Sequence, residues 1–337
     1  MWKDVCAMVS VELSLSVVNI LLKKAMNGGL GHVIIVLYRQ SVATVFLIPF
    51  AFFRERSSWT KLTASMICQI FICALLGLTL TQYLFLVGLD YTSATFTCAF
   101  INLVPVVTFL LALPLRMERV DIKRRSGKAK VVGTVVCIMG ALLLSLYKGE
   151  LIIISPQHGV VGDPRVVRAK KFGLGAAFLG VGSVAWSSWF LMQSRIGQYF
   201  PHRYSSTLIM SSFSSFQSML LCLVTERDFS KWIVRGGLDI IAVLFSGIVG
   251  SGLCYVVMSW CVKRRGPVFT AAFSPLIQVF AAVLDVLVLR EEIYLGSVLG
   301  SIVVVVGMYV LLWGKSKDVQ EALPKTVDVP QHQDIAN

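Results

Sequence analysis

"GLTLTQYLFLVGLDYTSATFTCAFINLVPVVTFLLALPLRME" (residues 77–118) returns in altered form 173 residues later as "GSGLCYVVMSWCVKRRGPVFTAAFSPLIQVFAAVLDVLVLRE" (250–291). Gly77 falls on Gly250, Leu80 on Leu253, Phe96-Thr97 on Phe269-Thr270, Ala99-Phe100 on Ala272-Phe273, and Glu118 on Glu291. After a short gap, "GTVVCIMG" (133–140) aligns with "GSIVVVVG" (300–307). Self-similarity at a fixed shift marks a duplicated chain.

The duplicated unit is apolar throughout. The 337 residues are 56% hydrophobic and 15% charged, with a mean hydropathy of +0.77; an average soluble protein has about 25% charged residues. The class is therefore polytopic membrane protein. Apolar runs fit membrane helices at about 5–22, 32–53, 63–87, 92–115, 131–147, 172–193, 205–224, 239–260, 267–289 and 295–313. Five fall in each copy. Five is odd, so the second copy enters the membrane with the opposite orientation. The expected fold is all-α, with ten transmembrane helices as two inverted five-helix repeats. The first repeat is 1–147 and the second is 172–314, with a linker loop at 148–171 and a disordered cytosolic tail at 315–337. Inverted repeats characterise secondary transporters, whose site lies near the midplane between the halves. A duplication without a transport role is the plainer alternative.

An even number of spans puts both termini on one side. With the termini inside, 19 Lys/Arg lie on cytosolic segments and 11 outside, leaving Arg39 within a span. That distribution favours cytosolic termini. The first run, "VCAMVSVELSLSVVNILL" (5–22), lacks a basic leader and a small-residue cleavage site and reads as a retained helix. Net charge is +13, but the basic residues flank apolar runs, as membrane topology requires, and do not imply nucleic acid. The eight cysteines form no CxxC pair and the four histidines lie in loops or the tail, so neither metal nor cofactor is expected. "GLGAAFLG" (173–180) opens a span and does not follow a strand, which excludes a dinucleotide loop. A phosphate-binding loop is missing from the sequence, so ATP is not the direct energy source.

Polar residues inside the spans are the candidate site. "VIIVLYRQSVATVFLIPFAFF" (33–53) carries Arg39 in its interior, where a guanidinium costs about 2.5–3.5 kcal/mol even on a mild insertion scale. Glu12, Ser16, Asn19 and Lys23 recur on one face of the first helix, and lipid cannot satisfy such a stripe. By depth Glu12 and Arg39 are within reach of each other. They form either a structural ion pair or a substrate site, with Arg39 holding a carboxylate and Glu12 as its counter-ion or a proton acceptor. Pro105 and Pro275 fall near mid-span on helices four and nine. Each removes a backbone donor and permits a kink, and disrupted helices at corresponding places point to a transport site. Thr97 and Asn102 on one helix, with Thr270, Ser274 and Gln278 on the other, supply neutral hydrogen-bonding groups beside the prolines. The hydroxyls have a second reading, bonding to their own helix backbone; the two amides need partners. The expected cavity lies between helices four and nine, bordered by one and two, and accepts a zwitterion. Asp285 reads as structural. Trp186 and Trp189 wall a pocket or simply pack, and the serine-rich "SSFSSFQS" (211–218) is a close helix contact or a wet wall.

At "YRQSVATVFLIPFA", "GLDYTSATFTCAFINLVPVVTFLLA", "GALLLSLYKG" and "GPVFTAAFSPL…REEIYLGSVLGSIVVVVGMYVLLWGKSK" the sequence resembles the plant nodulin-21/EamA-type transporters, also called Walls-Are-Thin-related or UMAMIT proteins, of the drug/metabolite transporter superfamily. The likeness spans about residues 5–317. It implies ten helices, cytosolic termini and movement of amino acids or, in some members, auxin. Two positions depart from the pattern: Ser274 stands where many relatives carry Asn before the proline, and Arg290 replaces a small residue before the glutamate. The expected function is secondary transport of a small organic solute by alternating access, amino acids first, in the plasma membrane before the vacuolar one. The rivals are an aromatic-acid transporter of the vacuolar membrane and a non-transporting receptor or scaffold with the same fold.

Overall fold

In a computed structural model, the described residues are 2–27, 30–55, 62–92, 94–117, 123–147, 151–153, 165–200, 202–226, 232–234, 236–284 and 293–322. The chain runs α1 (Trp2–Asn27), α2 (His32–Glu55), α3 (Ala64–Ala74), a π-helical segment (Leu75–Leu80), α4 (Thr81–Tyr91), α5 (Ala94–Ala112) and α6 (Arg125–Leu146). Then follow β1 (Leu151–Ile153), α7 (Arg165–Tyr199), α8 (Arg203–Thr225), α9 (Gly237–Phe245), a second π-helical segment (Ser246–Cys254) and α10 (Tyr255–Arg265). The chain continues with α11 (Pro267–Ala271), α12 (Pro275–Leu284), β2 (Ile293–Tyr294) and α13 (Leu295–Ala322). Each π segment continues its flanking helices without interruption. Among the described residues, six helical stretches are long and apolar enough to cross a bilayer: 2–26, 32–55, 64–89, 173–199, 203–225 and 237–265. Large apolar side chains such as Val45, Phe53 and Val224 stand outward, where acyl chains and not water are the compatible solvent. The architecture is that of a helical multi-pass membrane protein.

Packing is reciprocal between the first and second parts of the chain. α2 lies along α8, and α6 along α13. α4 packs on α7, while α9, its π segment and α10 pack on α1. α5 packs on α7 as α12 packs on α1. Small residues allow the tightest approach: a Cβ on Gly133 of α6 would stand 2.4 Å from the Leu311 backbone nitrogen of α13. The serine-rich stretch of α8 makes close helix contacts, with Thr79 Oγ1 2.8 Å from Ser214 Oγ and Ser41 Oγ 2.6 Å from Ser215 Oγ. The main core joins Met8, Val11, Leu78, Trp189, Met258 and Phe273.

Several boundaries differ from the sequence reading. The interval 148–171 holds β1, paired antiparallel with β2, and the start of α7. α13 continues to Ala322 because "KSKDVQEA" consists mostly of good helix formers; residues 323–337 lie outside the described residues, as do Asp285 and Arg290. The two prolines are not equivalent. Pro275 follows a break at 272–274, in which Ser274 N donates to Ala271 O at 3.1 Å, the carbonyl Pro275 leaves without a helical donor. Pro105 sits inside an unbroken α5. Gly266, at φ 88°, closes α10, and Pro267 opens α11 beyond it.

Candidate functional site

One cavity of about 160 Å³ is lined by α1 (Leu15, Asn19, Leu22), α2 (Ile35, Val36, Arg39), α4 (Thr81, Gln82, Phe85, Leu86) and α10 (Tyr255, Met258), with Ile101, Trp186 and Ile277 completing the wall. It therefore sits beside helices α1, α2, α4 and α10. α5 and α12, expected to form its centre, give one residue each.

Arg39 is the charged residue among those lining it. It is 9% exposed, and Nε donates to Ser251 Oγ at 2.7 Å. The same hydroxyl accepts from Gln40 Nε2 at 3.3 Å. Among the described residues the terminal guanidinium nitrogens make no hydrogen bond and no ion pair. Glu12 is 1% exposed, its Oε2 has no hydrogen-bond partner among the described residues, and it does not line the cavity. The two side chains matched in depth are thus not paired: Arg39 turns to the second π segment instead. Asn19 lines the cavity and is exposed.

The remaining sequence candidates fall outside the lining. Asn102 Nδ2 donates to Gln278 Oε1 at 2.5 Å, joining α5 to α12 directly beside lining residues Ile101 and Ile277. Asn102 Oδ1 and Thr97 Oγ1 are buried without partners among the described residues. Thr270 Oγ1 bonds to its own backbone, at 3.1 Å from Gly266 O. Ser274 is buried in the turn ahead of Pro275.

Gln82 and Tyr255 escaped sequence reasoning. Gln82 Nε2 stands 3.5 Å from the Tyr255 hydroxyl. The signal was present, because a shift of 173 puts residue 82 on residue 255. Both lie in the first turn of the helix just beyond a π segment, so equivalent positions of the repeat meet at the cavity. Aromatic rings form one side. Trp186 is edge-on to Phe85 at 6.0 Å and stacks on Phe190 at 6.2 Å, while Trp189, fully buried, is edge-on to Tyr255 at 5.2 Å. Trp186 thus lines the pocket and Trp189 packs behind it. The site combines one cation, neutral amide and phenol groups, and aromatic and aliphatic walls. Such a surface is chemically suited to a small organic solute.

The sequence pattern of the EamA-like transporter family matches residues 2–146 and again 173–313. Three WAT1-related proteins of Arabidopsis thaliana are 48%, 42% and 40% identical over 331, 320 and 327 residues. These alignments cover 96%, 95% and 96% of this chain and 90%, 88% and 90% of the relatives. A solved crystal structure superposes with a TM-score of 0.69, covering 94% of this chain and 99% of its own at 16% identity, a likeness of fold. The chain belongs to the EamA-like transporter family, whose WAT1-related members are membrane transporters and not enzymes.

Proposed function

We propose that this protein is a secondary transporter of amino acids, working by alternating access between two inverted five-helix repeats that make ten spans. Both termini face the cytosol, and the plasma membrane is its site. The reciprocal packing of the two parts of the chain supports the inverted arrangement. So do the π segments at matching places and the family pattern met twice. The observation that carries the substrate reading is Arg39 lining a cavity of about 160 Å³ with its terminal nitrogens uncommitted among the described residues. A guanidinium binds a carboxylate through two parallel hydrogen bonds. A cavity of about 150 Å³ holds a benzene-sized solute, which suits an amino acid better than a two-ring acid. The ammonium group then lies against the faces of Trp186, Phe85 or Tyr255 as a cation–π contact.

A second reading, an aromatic acid such as an auxin, is favoured by those same rings and by the described lining residues including no carboxylate to meet an ammonium. Uptake of labelled glutamine and of labelled indole acid into liposomes holding the purified protein separates the two. The expected result is glutamine flux, with Arg39→Gln raising KM by about ten- to a hundredfold, the loss of a charge-assisted pair. Indole-acid flux without amino-acid flux overturns the substrate; no flux of either overturns transport of both classes.

A further inference from the structure

Between Ser246 and Cys254 the helix widens into π geometry, a feature found frequently at functional sites. The widened stretch meets α2 at Arg39. A Cβ on Gly250 would stand 3.0 Å from Arg39 Nη2 and 3.5 Å from Cζ, so a methyl group there would shift the guanidinium by a few tenths of an ångström. One residue on, the Ser251 hydroxyl, fully buried, accepts Arg39 Nε at 2.7 Å. A guanidinium is a rigid plane with five donors. Holding Nε on one edge therefore fixes the direction of the opposite Nη edge.

We infer that Gly250 and Ser251 are positioning residues for substrate: Ser251 anchors Nε while Gly250 leaves the space in which the guanidinium presents its Nη edge to the carboxylate. The inference rests on the reading of Arg39 as the carboxylate's partner. The first π segment (Leu75–Leu80) shows the same device with different contents. At Gly77, which the 173-residue shift puts on Gly250, a Cβ would stand 2.0 Å from Trp189 Cδ1. Equivalent glycines thus seat an indole in one half and a guanidinium in the other. Among the described lining residues the duplicated scaffold carries a cation on one side of the cavity, which gives a charged solute a single orientation.

The test uses glutamine uptake into liposomes by wild type, Ser251→Ala, Ser251→Thr, Gly250→Ala, Arg39→Gln and the Ser251→Ala/Arg39→Gln double variant. Ser251→Ala and Gly250→Ala should each raise KM about three- to tenfold, the size of one hydrogen bond, with maximal rate unchanged. Ser251→Thr, which keeps the hydroxyl, should restore KM. In the Arg39→Gln background, Ser251→Ala should add nothing further. A raised KM in Arg39→Gln beside an unchanged KM in Ser251→Ala overturns the positioning role and leaves the carboxylate reading standing. A fall in maximal rate at constant KM in Ser251→Ala also overturns it, as a packing defect. An unchanged KM in Arg39→Gln removes the carboxylate reading, and the positioning role falls with it.

Discussion

Asn102 and Gln278 illustrate what a single residue in an apolar run discloses. An amide in hydrocarbon needs a partner, and each is the other's, across α5 and α12 at 2.5 Å. Interhelical hydrogen bonds in membranes average about 0.6 kcal/mol and reach about 1.7. Asn102→Leu and Gln278→Leu should each lower stability by that order, and the double variant should lose less than the sum. Thermal unfolding in detergent measures the cycle; additive losses would show the pair to be uncoupled. Arg39 was legible for the same reason as the amides. Thr270 was ambiguous, because a hydroxyl can turn back to its own carbonyl, and here it does. That Glu12 and Arg39 do not pair was not legible: depth follows from counting residues, but the angle around the helix axis depends on neighbours that sequence does not name. Gln82 and Tyr255 lie in stretches without proline or charge, and only their equivalence across the repeat exposes them.

At the scale of elements, the sequence shows where apolar helices lie and conceals how they are wound. Both π segments fall inside runs whose hydrophobicity gives no sign of an inserted residue; Gly77 and Gly250 are the trace they leave. Proline position was legible, while its effect was not: the backbone breaks at 272–274 ahead of Pro275 and passes through Pro105. Close helix contact was better announced. Gly133 and Gly307 lie in the aligned "GTVVCIMG" and "GSIVVVVG", and a Cβ on either would meet backbone of the other helix within 2.5 Å. Gly133→Val should therefore prise α6 from α13 and lower the melting temperature by several degrees, a loss of about 1–3 kcal/mol for overpacking. Gly237→Ala, with nothing within 4 Å of its new methyl, is the control. Equal melting temperatures for both variants would contradict the close contact.

The whole molecule is fastened at the end where α1 begins. Asn19 lines the cavity on α1; Asp4, fifteen residues earlier on the same helix, lies about 22 Å away at 1.5 Å per residue. There Asp4 holds Arg265 at 2.6 Å and Arg264 at 3.2 Å. Glu55 caps the start of α8 through Ser205 N at 2.8 Å and Ser205 Oγ at 2.9 Å. Cys261, buried and 4.0 Å from Asp4 O, is a native reporter of that closure. Asp4→Asn should raise the reactivity of Cys261 toward a thiol reagent several-fold and leave Cys137, between α6 and α13, unchanged; equal protection of Cys261 in both proteins would show that the ion pairs do not fasten that end. The duplication and the apolar runs were readable at this scale, but the end that the ion pairs fasten was not, because two copies of one pattern are compatible with either closure. The central claim is that substrate sits in the cavity beside Arg39. Its most direct test is protection of Asn19→Cys from a membrane-impermeant thiol reagent by saturating glutamine. The account predicts protection, and its loss when Arg39→Gln is added; protection undiminished by Arg39→Gln, or absent while glutamine is transported, would contradict it.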